Sequence, residues 1–211
     1  MWVNVYGVSE RYLNVYGEKD LRAQMNQFFH RTYTHPVDGT TLDMKMLCNW
    51  YWYDETAILE TGKGTKDWNF YRYAETLLSA AEAIAQSSGV NAEAAGYLAQ
   101  VKARANMEGK DVSTIASELQ RLDKQAFIEE CWKERLREFP LEMKIWDDCV
   151  RTGKFPQISA TNKGEVQFVD LIGAKNGSGA TFKATDLYWP IPVNEIQRNP
   201  NLTQNEGYSA K

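Results

Sequence analysis

Apolar residues recur at three- and four-residue steps through Phe70, Tyr73/Ala74, Leu77/Leu78, Ala81 and Ile84/Ala85. That spacing lays them along one face and predicts an amphipathic helix from about Trp68 to Gln86. Ser87-Ser88-Gly89 ends it, with glycine at the usual C-terminal place. A second helix is predicted over 92–105, with Ala94, Leu98, Val101 and Ala105 on its stripe. Small residues crowd both helices (Ala81 and Ala85 in one, Ala95 and Ala99 in the other), so the two backbones can approach closely as a helical hairpin.

A third helical block is predicted over 113–139, ended by Pro140, with Asp123 as the N-cap of its main segment. A short helix, Leu141 to Arg151, stops at Gly153. Beyond it, 165–172 alternates partly as a strand, and Thr181 to Asp186 is its candidate hairpin partner across a Gly/Asn turn. Upstream, 9–30 reads as a first helical region and 31–66 as irregular. Within the irregular part, Trp50-Tyr51-Trp52-Tyr53 is strongly strand-prone. In the final stretch, Pro190, Pro192 and Pro200 fix the backbone while Tyr188, Trp189 and Ile191 offer apolar surface. Such a tail is expected to be ordered and clamped.

The fold class is therefore mainly α, and the helical hairpin resembles a tetratricopeptide unit. Repeats of that kind usually need about three stacked copies. One clear unit is visible, so further repeats are expected upstream.

The bulk numbers exclude some functions. The 211 residues carry 43% hydrophobic and 25% charged side chains, ordinary for one globular domain. A net charge of -4 supplies no basic field, so no nucleic-acid partner is expected. Cys48, Cys131 and Cys149 lack any C-x-x-C spacing and read as small buried hydrophobes. His30 and His35 make no metal signature, and no cofactor is implied.

Four separated motifs carry a family resemblance. Arg72 to Ala83 is similar to a helix of the form R-x-A-E-x-x-L-x-x-A-E-A, and Ala99 to Ala105 to L-N-x-V-R-x-R-A. Glu134 to Gly153 is similar to E-R-x-x-E-[LF]-x-x-E-G-x-R-W-x-D-L-x-R-x-G. Pro190 to Tyr208 is similar to P-I-P-x-x-E-I-x-x-N-P-x-L-x-Q-N-P-G-Y. Together they resemble the C-terminal region of the SusD/RagB family of nutrient-binding outer-membrane lipoproteins, over the whole of 1–211. The parts are 1–66 with aromatic-rich loops, a helical scaffold at 68–151, and a hairpin with an ordered tail at 153–211. Met143 stands where glycine is usual, Ile145 where arginine is, and Glu206 where proline is common.

The resemblance implies no enzyme. It implies a surface protein that binds an oligosaccharide or other nutrient and hands it to a SusC-like TonB-dependent transporter in the outer membrane. Membrane association would come only through an anchor that this chain lacks. The alternative is a helical-repeat adaptor that binds proteins and no glycan. A third reading, a two-carboxylate glycosidase built on Glu134 and Glu138, is weaker, because Lys133, Arg135 and Arg137 interleave with those acids as structural ion pairs. The speculative ligand platform is Trp50, Tyr51, Trp52 and Tyr53. As a strand it would bury one face and offer the other to a sugar, and the bland expectation is that both faces are packed.

Overall fold

The computed structural model describes residues 7–209. Two compact units emerge. The first comprises residues up to 145 with 158–167, and the second comprises 146–157 with the residues from 168 on.

The first unit is built on four helices: α1 (Tyr73–Ser88), α2 (Ala92–Ala103), α3 (Val112–Leu119) and α4 (Lys124–Glu138). From Ala74 on the predicted stripe is the buried one, since Leu78, Ala81, Ala85, Ala94, Ala95, Leu98 and Ala99 are all fully buried, whereas Phe70 lies before α1 and Tyr73 at its start is exposed. Alanines at the contact let α1 lie close on α2, which packs in turn against α3, while α4 lies on α1. Each start after the first is capped: the side chains of Asn91, Asp111 and Asp123 accept from the backbone N–H three residues on, at 2.9, 2.8 and 2.8 Å. Gly89 follows α1 at φ +82, a conformation that favours glycine. Phe127 and Cys131 fill the core from α4. Cys48, Cys131 and Cys149 are buried, as small hydrophobes are.

The N-terminal segments depart from the sequence expectation. Residues 9–30 are not an α-helix but two 3-10 turns, Glu10–Val15 and Leu21–Ala23. Tyr16, which follows the first turn, is fully buried and donates to the Arg137 carbonyl at 2.9 Å. The stretch read as irregular holds an antiparallel pair, β1 (Phe29–Thr34) and β2 (Thr41–Asn49), joined at the His35 to Gly39 turn. A register shift between His30 and Thr32 and a left-handed Lys45 at φ +63 interrupt its alternation, which is why the pattern was illegible.

In the second unit α5 (Ile145–Thr152) is followed by Gly153 at φ +67. The strand predicted at 165–172 exists as β4 (Val166–Asp170). Its partner is β3 (Lys154–Ile158), not Thr181 to Asp186, which instead leads into a 3-10 turn at Ala184–Leu187. Pro156 within β3 masks its strand character in sequence.

The tail carries a short helix, α6 (Val193–Arg198), and is ordered by polar side chains. Gln204 accepts from the Ile191 N–H at 2.8 Å and donates to the Ile191 carbonyl at 2.9 Å. Asn205 donates to the Trp189 carbonyl at 2.7 Å, and the Tyr208 hydroxyl reaches the carbonyls of Thr185 and Tyr188, both at 2.9 Å. Tyr188 and Trp189 stay 63% and 90% exposed, so backbone capture, not burial of these rings, organises the segment. Among the described residues no helix is long and apolar enough to cross a membrane.

Candidate functional site

The aromatic run does not continue β2. Trp50–Trp52 is a 3-10 turn capped by Asn49, whose side chain accepts from the Tyr51 N–H at 2.9 Å and donates to the Pro140 carbonyl. The Trp50 N–H donates to the Phe28 carbonyl at 2.8 Å. Asn49 thus removes the next backbone donor from the ladder, and the strand stops. With three residues per turn the side chains fan out instead of alternating between two faces.

Each ring then has its own surroundings. Trp50 has parallel partners, His30 at 3.7 Å between centroids and Tyr53 at 4.4 Å, with interplanar angles of 13° and 10°. Two rings this close to one centroid would collide if they shared a face. They therefore lie on opposite faces, and no sugar can stack on Trp50. Tyr51 has the Lys66 ammonium 5.3 Å and the Arg72 guanidinium 5.9 Å from its centroid. The Tyr51 hydroxyl is buried and has no hydrogen-bond partner in the described chain. Trp52 stands edge-on to Tyr51 at 4.9 Å, is 39% exposed, and donates its indole N–H to the Leu141 carbonyl at 3.3 Å.

Trp50 and Tyr51 form one wall of a cleft of ≈ 320 Å³. Gln27, Asn49, Arg72, Arg104, Glu138 and Glu142 supply the polar groups facing it. The structure therefore brings two of the four predicted residues to a cavity, and leaves Trp52 and Tyr53 outside its lining. The polar wall was missed as a site because its members are spread over more than 110 positions of the chain.

Those acids are spoken for. Glu138 is 1% exposed and accepts from Arg22 at 3.0 Å, Arg72 at 3.0 Å and Arg104 at 2.6 Å. Glu142 holds Arg72 through two hydrogen bonds, of 2.8 and 2.7 Å. Glu134, fully buried outside the cleft, pairs with Arg22 at 2.8 Å and Arg137 at 3.2 Å. Burial alone would raise the Glu134 pKa, but Arg22, Lys102 and Arg137 outweigh it and hold the group well below the usual carboxylate range. A carboxylate fixed in its ionised form by so many cations is no general acid at neutral pH. The arrangement offers an aromatic wall, bound cations and amide groups, which suits a neutral polar ligand held by contact and hydrogen bonds. Among the described residues no cluster of acids, histidines and cysteines could hold a metal ion.

Residues 11–208 match the sequence model of the SusD family. The starch-binding protein SusD of Bacteroides thetaiotaomicron is 36% identical over 138 residues, which is 65% of this chain and 21% of that protein. A crystal structure of a SusD superfamily protein from Parabacteroides distasonis superposes with a TM-score of 0.77 at 31% identity, over 95% of this chain and 41% of that one. The matched stretch thus spans only about a fifth of the length of the starch-binding relative.

Proposed function

The chain belongs to the SusD family, and from that premise we propose that it serves in nutrient capture at the outer membrane surface. It binds an extracellular oligosaccharide without chemistry, as part of a SusD-like protein, and passes it to a SusC-like TonB-dependent transporter. The observation that carries this reading is the 36% identity to a starch-binding relative. The cleft is consistent with it, because Tyr51 gives an apolar wall while Gln27, Asn49 and Arg104 bring hydrogen-bonding groups beside it. The acids of α4 fit a binder better than a hydrolase, since they are committed to arginines.

A glycan array followed by titration calorimetry tests the reading, with maltooligosaccharides tried first. Tyr51→Ala is expected to weaken binding about tenfold, the loss of one ring's packing. Trp50→Ala is expected to act on stability instead, because both faces of that ring are already covered. A protein that binds peptides and no glycan would transfer the chain to the adaptor class. Transport is tested separately, by recovering a TonB-dependent transporter with the tagged protein from membranes.

A further inference from the structure

Trp68, Phe70, Tyr71 and Tyr73 are 49%, 63%, 71% and 72% exposed. Periodicity places Phe70 and Tyr73 on the buried face of a helix, but α1 begins only at Tyr73. Arg72 before it is extended, at φ -123 and ψ 153. An extended residue points away from its two neighbours. Arg72 accordingly turns inward to Glu138 and Glu142, and Tyr71 and Tyr73 are left outside.

These rings do not hang on a loose loop. Arg72 is fixed by its two hydrogen bonds to Glu142. The Lys144 ammonium donates to the Phe70 carbonyl at 2.6 Å and pairs with Glu75 at 3.1 Å. That same ammonium lies 4.6 Å from the Tyr71 centroid, and its side chain is only 15% exposed. It therefore holds Tyr71 from the protein side, leaving the outer face of the ring in solvent. Rings presented on a fixed backbone lose little conformational freedom when they meet a ligand.

Arg72 is also part of the cleft wall. Tyr71 and Tyr73 thus flank in the chain a residue that lines a cavity of ≈ 320 Å³, at the small end of ligand clefts. We infer that Tyr71 and Tyr73 form an outer stacking platform that continues the cleft for an oligosaccharide too long to be held within it. This rests on the reading of the chain as a glycan binder. A pyranose has an apolar face of C–H groups and a rim of hydroxyls. It fits the outer face of a ring that the Lys144 ammonium holds from the inner side.

The test compares ligand lengths. Maltotriose and maltoheptaose are titrated against the unaltered chain, Tyr71→Ala/Tyr73→Ala and Tyr71→Phe/Tyr73→Phe; if an array favours another glycan, its short and long homologues replace them. The expected result is about a tenfold advantage for the longer ligand, abolished in the alanine pair and kept in the phenylalanine pair. Maltotriose binding stays within about twofold throughout. The platform is overturned if the alanine pair keeps the length advantage, or if both ligands weaken together. It is overturned equally if the substitutions only convert a self-associated chain to monomer. Absence of any glycan binding by the unaltered chain is a different failure, which removes the underlying reading and the platform with it.

Discussion

His30 lies flat on Trp50, their centroids 3.7 Å apart and their planes 13° from parallel. Its Nε2 is buried with no hydrogen-bond partner in the described chain. Loss of solvent pushes the imidazole pKa below its usual value, against a weaker opposing effect of its hydrogen bonding with the Gln27 backbone. The unfolded chain then binds the proton first, as the pH falls through about 6.5. Stability contributed by neutral His30 is present above that pH and is lost on acidification toward the folded pKa. His30→Phe keeps a ring on Trp50 and removes the titration. Its unfolding free energy should decline less than the unaltered chain's between about pH 7 and pH 5. Parallel profiles in urea titrations would show that His30 does not titrate differently on folding.

Glu138 holds three guanidinium groups on its two oxygens. Glu138→Gln takes one buried carboxylate from Arg22, which keeps Asp20 and Glu134, and from Arg72, which keeps Glu142, and should cost about 2–3 kcal/mol of stability. Arg104→Gln removes only a partner that is 58% exposed, and should cost no more than about 1 kcal/mol. Chemical denaturation of both variants checks the contrast, and similar losses would contradict it.

Met143 adopts φ +61 and is 72% exposed. The glycine usual at this point of the motif answers that backbone, because a side chain in the left-handed region crowds the following carbonyl. Met143→Gly gives up almost no packing and should stabilise the chain by about 0.5–1 kcal/mol. A lower melting temperature would mean that Met143 contributes a contact worth more than the strain.

Gly207 combines φ +86 with close approach: a Cβ there would lie 2.1 Å from the Thr185 Cγ2. Gly207→Ala should therefore loosen the closure made by Tyr208, costing about 1–3 kcal/mol. Thr185→Ser removes the offending methyl, so the double variant should recover the steric part and keep the backbone penalty. Amide exchange at Ile191, which Gln204 protects, reads this out directly. No rescue by Thr185→Ser would place the whole cost in the backbone.

Helices α1, α2 and α4 were legible because their signals are local. Leu77, Leu78, Ala81 and Ala85 repeat at the helical period, Asp123 caps within three residues, and glycine marks the end of α1 at 89. The tail motif was legible as ordered for the same reason, although its order comes from Gln204, Asn205 and Tyr208 bonding to backbone and not from buried rings. Strands β1 and β2 were not legible, since their bulge and the left-handed Lys45 break the alternation that would announce them.

Helical periods, caps and family motifs can be read along the chain, because each is specified by residues close together in it. The roles of Trp50 and Tyr51 follow instead from their contacts in the folded chain. Asn49 captures a backbone donor and ends β2, His30 closes one face of Trp50, and Tyr51 is left against Arg72 at the cleft. The two ring contacts join positions 20 and 21 residues apart, and no local period encodes a pairing of that range. Charge pairing and ring packing across the fold set them, and both depend on where the folded helices carry Arg72, Arg104 and Glu138.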